Sequence, residues 1–279
     1  MIFSFLPTLA CFYCFYLSLN ERKNQLISVF FIGSGRIAAH LADAFLKTDI
    51  ELKGVHSKTY SNAKAFAEKY QIPFFEDIQQ IPKDADVYIL AVNDDQIELV
   101  STLIQVNGIV AHCSGLKDLN SIKHSANKAV IWPLQSFSKD KKVNFKEIPI
   151  LLEANSDENY RIIEALTERI SHKLIECSSE KRMFYHLAAV FVNNFSNHLF
   201  VQAEDILSQQ NLDYKLLLPL MKESIEKLNY LSPNDAQTGP ASRGDESTMS
   251  KHLNLLSENK TAKEIYSLFS HSIQNHQNK

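Results

Sequence analysis

The segment Phe31-Ile-Gly-Ser-Gly-Arg-Ile-Ala38 holds the first residues in this chain whose types and spacing could do chemistry. Gly33 and Gly35 bracket Ser34 between a strand-like run, residues 26–32, and a helix-like run, residues 37–46. A Gly-x-Gly-x-x-Ala turn in that setting presents backbone amides at a helix N-terminus, where they can cradle a pyrophosphate. Gly33 permits the tight turn, Gly35 lets phosphate oxygens approach, and Ala38 lets the helix pack closely on the strand. The bland alternative is an ordinary strand-to-helix turn. The chain has seven glycines, few against an average of about 7%. Five of them are Gly33, Gly35, Gly115, Gly239 and Gly244, in three short clusters. Glycine kept in so sparing a chain suggests close backbone approach or a positive φ.

The kind of dinucleotide is read from the end of the second strand. An NAD site usually places a carboxylate there, about 20 residues on, to bind the ribose 2′-hydroxyl. Here the strand ends in Val55-His-Ser-Lys58, with no acid. Ser57 and Lys58, helped by Arg36, can meet a 2′-phosphate, so the pattern points to NADP rather than NAD. The alternative is that Lys58 is a surface lysine. Two further groups fall where loops would face the nucleotide: Val92-Asn93-Asp94 after a buried strand, and Ser114-Gly115 after the next. His112, at the end of that strand, is either part of the site or a satisfied core histidine. The nucleotide-binding candidates are therefore Gly33, Ser34, Gly35, Arg36, Ile37, Ser57, Lys58, Val92, Asn93, Asp94, Ser114 and Gly115.

A second set lies on a helix beginning near Glu180. At 100° per residue His186, Asn193, Asn197 and Glu204 fall close to one line. Phe184, Leu187, Ala188, Phe191, Phe195, Leu199 and Ile206 occupy the opposite side. A polar stripe facing a cleft between domains would let His186 give a proton to a carbonyl or imine, with Asn193 and Asn197 orienting the substrate. The other reading is a solvent-facing stripe or a dimer contact. Arg243, in Thr238-Gly-Pro-Ala-Ser-Arg-Gly-Asp245, is either a substrate-anion clamp or part of a structured turn capped by Asp245. No cysteine and histidine spacing marks a metal site.

The elements that must hold these residues alternate. Strand patterns at 50–56, 73–75, 86–92 and 109–113 are interleaved with helical ones at 60–70 and 96–105. Further strands are expected at 129–132, 148–153 and 173–177, with a helix over 158–171. From residue 178 strand signals vanish, and helices are expected over 180–209, 214–228 and 246–256; the tail 270–279 reads as frayed. This predicts an α/β protein, a doubly wound parallel sheet followed by an all-α C-terminal domain. The expected boundaries are an apolar extension at 1–25, a dinucleotide domain at 26–177 and a helical domain at 178–279.

Composition is that of a folded globular protein: 45% hydrophobic, 22% charged and a net charge of −3. Such a balance offers no nucleic-acid footprint. Four cysteines, scattered, make no disulfide framework and fit a reducing compartment, hence the cytoplasm. Residues 1–19 carry no charge. They read as a membrane anchor, as an upstream start assigned too early, or as an appended apolar helix; membrane contact is expected only under the first. Cys11 and Cys14, inside that run, read as apolar filling.

The order of five motifs carries a family resemblance. Gly-Ser-Gly-Arg-Ile-Ala, His112-Cys-Ser-Gly115, Trp132-Pro-Leu-Gln-Ser-Phe137, Tyr185-His-Leu-Ala-Ala-Val-Phe-Val-Asn-Asn194 and Thr-Gly-Pro-Ala-Ser-Arg-Gly-Asp resemble the Rossmann-like proteins with a DUF2520 domain. Those proteins look like a branch of the 6-phosphogluconate dehydrogenase-like superfamily, near pyrroline-5-carboxylate and ketopantoate reductases. The resemblance runs from about Leu26 to the last expected helix. It implies an N-terminal NADP-binding domain, a helical C-terminal domain that starts as early as residue 129, and a homodimer. It names no substrate. Dehydrogenases of that superfamily commonly carry a lysine where His186 stands here, and Lys181 is rotated away from the stripe. The expected function is an NADP-dependent oxidoreductase acting on a small carbonyl, imine, hydroxy or amino compound. A nucleotide-binding regulator without turnover is the alternative.

Overall fold

The computed structural model describes residues 26–139 and 141–277. The apolar run at 1–19, with Cys11 and Cys14, lies outside the described residues. Eight strands form one sheet in the order β3-β2-β1-β4-β5-β6-β7-β8. They are β1 (Ser28–Ile32), β2 (Glu51–His56), β3 (Phe74–Phe75), β4 (Val87–Leu90), β5 (Ile109–His112), β6 (Lys128–Pro133), β7 (Ile150–Ala154) and β8 (Leu174–Glu176). The first six run parallel, as the alternating pattern implies. β7 turns antiparallel to β6, and β8 follows β7. The sheet is therefore mixed on its β7 side, as doubly wound sheets with an antiparallel pair near one edge commonly are.

Helices α1 (Arg36–Phe45), α2 (Tyr60–Tyr70), α3 (Ile97–Leu103) and α4 (Asp157–Glu168) connect the strands. Every residue of β1, β4 and β5 is buried, the signature of a sheet covered on both sides. Alternation then sorts the side chains. Val29, Phe31, Val87, Ile89 and Ala111 join Leu41, Phe45, Phe66 and Leu166 of α1, α2 and α4. Phe30, Ile32, Tyr88, Leu90 and Val110 join Ile97 of α3 in the second cluster. Each such large apolar side chain contributes about 1.5–3 kcal/mol by leaving water. That burial fixes where the strand ends, and the loops after them, must stand.

A third helix-bearing stretch follows β8. Ser178 caps α5 (Ser179–Ala189), its side chain accepting from the Lys181 amide. Residues Val190–Phe195 then form a π-helical segment. The uninterrupted helix expected over 180–209 is therefore broken. The wider π turn, with i→i+5 bonding, changes the angle per residue on which the line from His186 to Glu204 was projected.

Contacts divide the described residues into two compact units, one running to Val190 and one starting at Phe191. The second unit contains α6 (Ser196–Ser208), α7 (Leu218–Glu226), α8 (Glu246–Leu255) and α9 (Lys260–Gln277). The tail is helical through Gln277 rather than frayed. Ile265, Leu268, Phe269 and Ile273 recur at helical spacing there, a stripe that a composition of His, Gln and Asn conceals. Among the described residues of this unit Ala241, Leu256 and Ala262 are the buried apolar side chains. Large ones stand in the open: Val192 is 75% exposed, Leu216 80% and Ile225 67%. No helix among the described residues is long and apolar enough to cross a membrane.

Candidate active site

The glycine turn closes where β1 leaves the sheet. The Gly33 amide donates to the His56 carbonyl at 2.7 Å, tying the exits of β1 and β2 together. Gly33 has φ +103°, and a Cβ there would stand 2.3 Å from the Ala91 carbonyl oxygen beyond β4. Glycine is demanded by the protein itself at this position. Gly35 is different. It precedes α1 with φ −74° and ψ −172°, and the one atom near a Cβ there is the Ala91 oxygen, at 3.8 Å. Nothing in the fold needs that space. The first amides of a helix lack intrahelical partners, no side chain caps α1, and its first turn carries no acid. The result is an open, electropositive seat for an anion. Gly33 is buried, Ser34 and Ile37 are half-buried, and Gly35 and Arg36 are exposed.

The other nucleotide-binding candidates share this edge. Ser57, half-buried, and Lys58, exposed, follow β2 and lead to Thr59, the N-cap of α2. That helix also starts without a side-chain cap or an acid in its first turn. Val92 follows β4, with Cγ1 3.2 Å from a Cβ built on Gly33. Asn93 and Asp94 are exposed beyond it, at the start of a 3₁₀ turn. Ser114 and Gly115 follow β5 and are buried. Strands β2, β1, β4 and β5 are consecutive neighbours in the sheet, so all twelve candidates sit along one carboxyl edge.

The two readings of His112 separate cleanly in the structure. Its side chain is fully buried, with Nε2 3.1 Å from the Asp118 carbonyl, while the Ser114 amide donates to Nδ1 at 3.1 Å. Nδ1 thus accepts and Nε2 carries the hydrogen. Burial pushes its pKa down to about 4, so the ring is neutral near pH 7 and serves the loop. The Ser114 hydroxyl accepts from the amides of Leu116 and Lys117 at 3.1 and 3.0 Å. What this loop offers a ligand is accordingly the backbone at Gly115.

His186 meets that backbone. A Cβ on Gly115 would lie 2.6 Å from two atoms of the Trp132 ring and 2.7 Å from His186 Cδ2. The two rings are 6.0 Å apart between centroids. Trp132 reaches this level because β6 outruns β5: Val130 pairs with His112, and Trp132 and Pro133 extend beyond it. A half-buried imidazole on α5 therefore stands against the exit of β5. Sequence reasoning placed His186 on a polar stripe but gave Trp132 and Arg182 no role. The signal was the spacing Ser179, Arg182, His186, Ala189, which is one face of α5.

Asn193, Asn197 and Arg243 belong to the second unit, and all three are exposed. Asp245 caps α8, accepting from the Thr248 amide at 3.0 Å. Among the described residues no three metal-ligating side chains cluster. Two open cavities, about 610 and 780 Å³, lie elsewhere: one at the amino ends of β4 and β5, the other by the C-terminal end of α1. Neither is lined by a candidate residue.

Comparison with known proteins fits this geometry. Residues 27–107 match the NAD-binding Rossmann-fold model of an oxidoreductase family, and residues 148–273 match the domain of unknown function DUF2520. A Bacteroides fragilis protein provisionally named an NADP oxidoreductase is 32% identical, over 90% of this chain and 98% of that one, with TM-score 0.83. The chain belongs to the DUF2520 family of Rossmann-fold proteins. Two solved structures share the fold of this DUF2520 protein at lower identity. A 1-pyrroline-5-carboxylate reductase from Streptococcus pyogenes is 15% identical over 90% of this chain and 99% of that one, TM-score 0.63. The Streptomyces aurantiacus imine reductase is 14% identical over 88% and 95%, TM-score 0.58. A search of curated protein sequences found no match. The DUF2520 protein thus has the nicotinamide-dinucleotide-binding fold of NAD(P)-dependent oxidoreductases.

Proposed function

We propose that this DUF2520 protein is an NADP(H)-dependent oxidoreductase of the cytoplasm that interconverts a small carbonyl or imine compound and its hydroxy or amino counterpart. The observation that carries the reading is the open space over Gly35, at an uncapped, acid-free helix N-terminus on the carboxyl edge of the sheet. The residues present fit a dinucleotide. Amides of Arg36, Ile37 and Ala38 would hold its pyrophosphate. Ser57 and Lys58, before the equally uncapped α2, suit a 2′-phosphate, and the name of the 32%-identical relative supports NADP. When bound, the dihydronicotinamide would supply a hydride.

The chain's own part is proton transfer and positioning. His186, against Gly115 and Trp132, would hold the proton that goes to the substrate oxygen or nitrogen as the carbon is reduced, and take it back in the reverse direction. Trp132 and Gly115 are the ring's neighbours there. Asn193 and Asn197 are assigned to orienting the substrate and Arg243 to an anionic group on it; exposure leaves all three accessible to a ligand. Two unpaired thiols, Cys113 and Cys177, agree with a reducing compartment.

The protein would act as a homodimer. Phe191, Val192, Phe195, Leu216, Leu220, Ile225 and Leu268 are each 48–80% exposed on the second unit. Monomers rarely leave so much apolar surface in water. Exposed apolar side chains in this number are what a second copy of the chain would cover in a dimer.

The deciding experiment is a carbonyl and imine substrate screen with NADPH, followed by His186→Ala. Loss of turnover with NADPH affinity retained supports the enzyme. A protein that binds NADPH but consumes it with no substrate is a nucleotide sensor.

A further inference from the structure

We propose that Arg182 is a positioning residue, a three-way clamp that sets where His186 stands over Gly115; this rests on the acid/base role given to His186 above. Arg182 is fully buried, a rare location for a guanidinium. Its Nη1 donates to Glu153 Oε2 of β7 at 2.5 Å. Its Nη2 donates to the Lys117 carbonyl at 2.6 Å and to Ser179 Oγ at 3.1 Å. Ser179 Oγ in turn donates to Glu153 Oε2 at 2.6 Å and accepts from the Leu119 amide at 3.0 Å. One side chain therefore ties together β7, the loop after β5 and the first turn of α5.

The two things it joins are the two sides of the site. Lys117 belongs to the loop that carries Gly115, and His186 follows Arg182 by one helical turn on the same face of α5. The loop is already held at its other end by His112 and Ser114. Arg182 adds the bond that fixes the loop to the helix. A planar fork can meet a carboxylate and a carbonyl together; an ammonium reaches as a single point.

A role in stability alone fits poorly. Arg182 Nε has no hydrogen-bond partner among the described residues, and a buried orphan donor is a cost. A buried ion pair is commonly matched or bettered in stability by apolar residues of similar volume. An arginine kept in this imperfect state is one whose geometry is needed.

The test replaces the pair as a unit, Arg182→Met with Glu153→Leu, beside Arg182→Lys and a His186→Ala reference. Trp132 is the single tryptophan of the chain and lies 6.0 Å from the His186 ring. Its emission lifetime reports the contact in nucleotide-free protein. The double variant should melt within a few degrees of wild type and still bind NADPH, within about tenfold, because the glycine turn does not touch the clamp while the Gly115 loop does. Its Trp132 lifetime should move most of the way to that of His186→Ala. With a substrate from the screen, kcat should fall on the order of 100-fold, as misplacement by about 1 Å can cost, with KM changed less than about threefold. Should the double variant not fold, Arg182→Lys gives the same reading with the charge retained. A folded variant with wild-type lifetime and wild-type kcat overturns the clamp. Absence of NADPH binding in wild type would instead sink the proposed function, while the lifetime still decides whether Arg182 sets the ring.

Discussion

Two glycines two residues apart should answer very differently to alanine. At Gly33 a Cβ meets the Ala91 carbonyl oxygen at 2.3 Å and its carbon at 2.7 Å, with φ at +103°. Backbone strain of about 1–3 kcal/mol adds to overpacking of about 1–3 kcal/mol. Against a typical total stability of about 5–15 kcal/mol, Gly33→Ala should lower the melting temperature by several degrees or fail to fold. At Gly35 the backbone suits any residue, and the nearest atom is 3.8 Å away. Losing glycine at an N-cap costs about 1 kcal/mol, offset by about 0.4–1 kcal/mol from a stiffer unfolded chain. Gly35→Ala should therefore melt within about 4 °C of wild type, at roughly 2–4 °C per kcal/mol. Its methyl would nonetheless occupy the space over the α1 amides. Losing one charge-assisted bond, about 1.5–3 kcal/mol, should weaken NADPH by about 10- to 150-fold. Calorimetric titration with NADPH and thermal denaturation read both effects. A Gly35→Ala protein that binds NADPH like wild type would mean the phosphates settle elsewhere, and the reasoning fails.

Three further outcomes follow from the same geometry. Lys58→Glu should weaken NADPH at least tenfold in fluorescence titration and leave NADH unchanged; equal losses for both would remove Lys58 from the 2′-phosphate. His112 binds a proton at 6.5 when unfolded but at about 4 when folded. Its contribution is thus complete above pH 6.5 and lost as the pH falls toward 4, by about 3 kcal/mol. Urea midpoints should decline over that window, less steeply in His112→Gln; an unchanged slope in the variant would refute the assignment. Sedimentation should find a dimer at micromolar concentration, and Leu220→Glu with Ile225→Glu should shift it toward monomer. A wild-type monomer at that concentration would refute self-association as the cover for the exposed apolar side chains of the second unit.

Much of the architecture is written in local patterns. Continuous apolar runs such as Val87–Leu90 and Ile109–His112 can be stable only between two covering layers, so buried parallel strands were readable from residue type. The glycine turn was readable because it is a local backbone demand at the strand-to-helix junction. The reversal of β7, the π segment at Val190–Phe195 and the helical tail were not. Each depends on what packs against the segment, or on a change in helical pitch, and period counting at 100° per residue sees neither.

By itself the sequence marked the residues proposed to bind a dinucleotide, because phosphate recognition uses amides of one short turn and residues just past strand ends. Only the tertiary structure decided that His112 is a neutral internal support while His186 stands against Gly115 and Trp132. It alone showed Arg182 reaching Glu153 and Lys117. Those relations join residues 29 and 65 positions apart, and nothing in a chain's local chemistry says which distant strand end a side chain will meet. Packing of the sheet makes that choice.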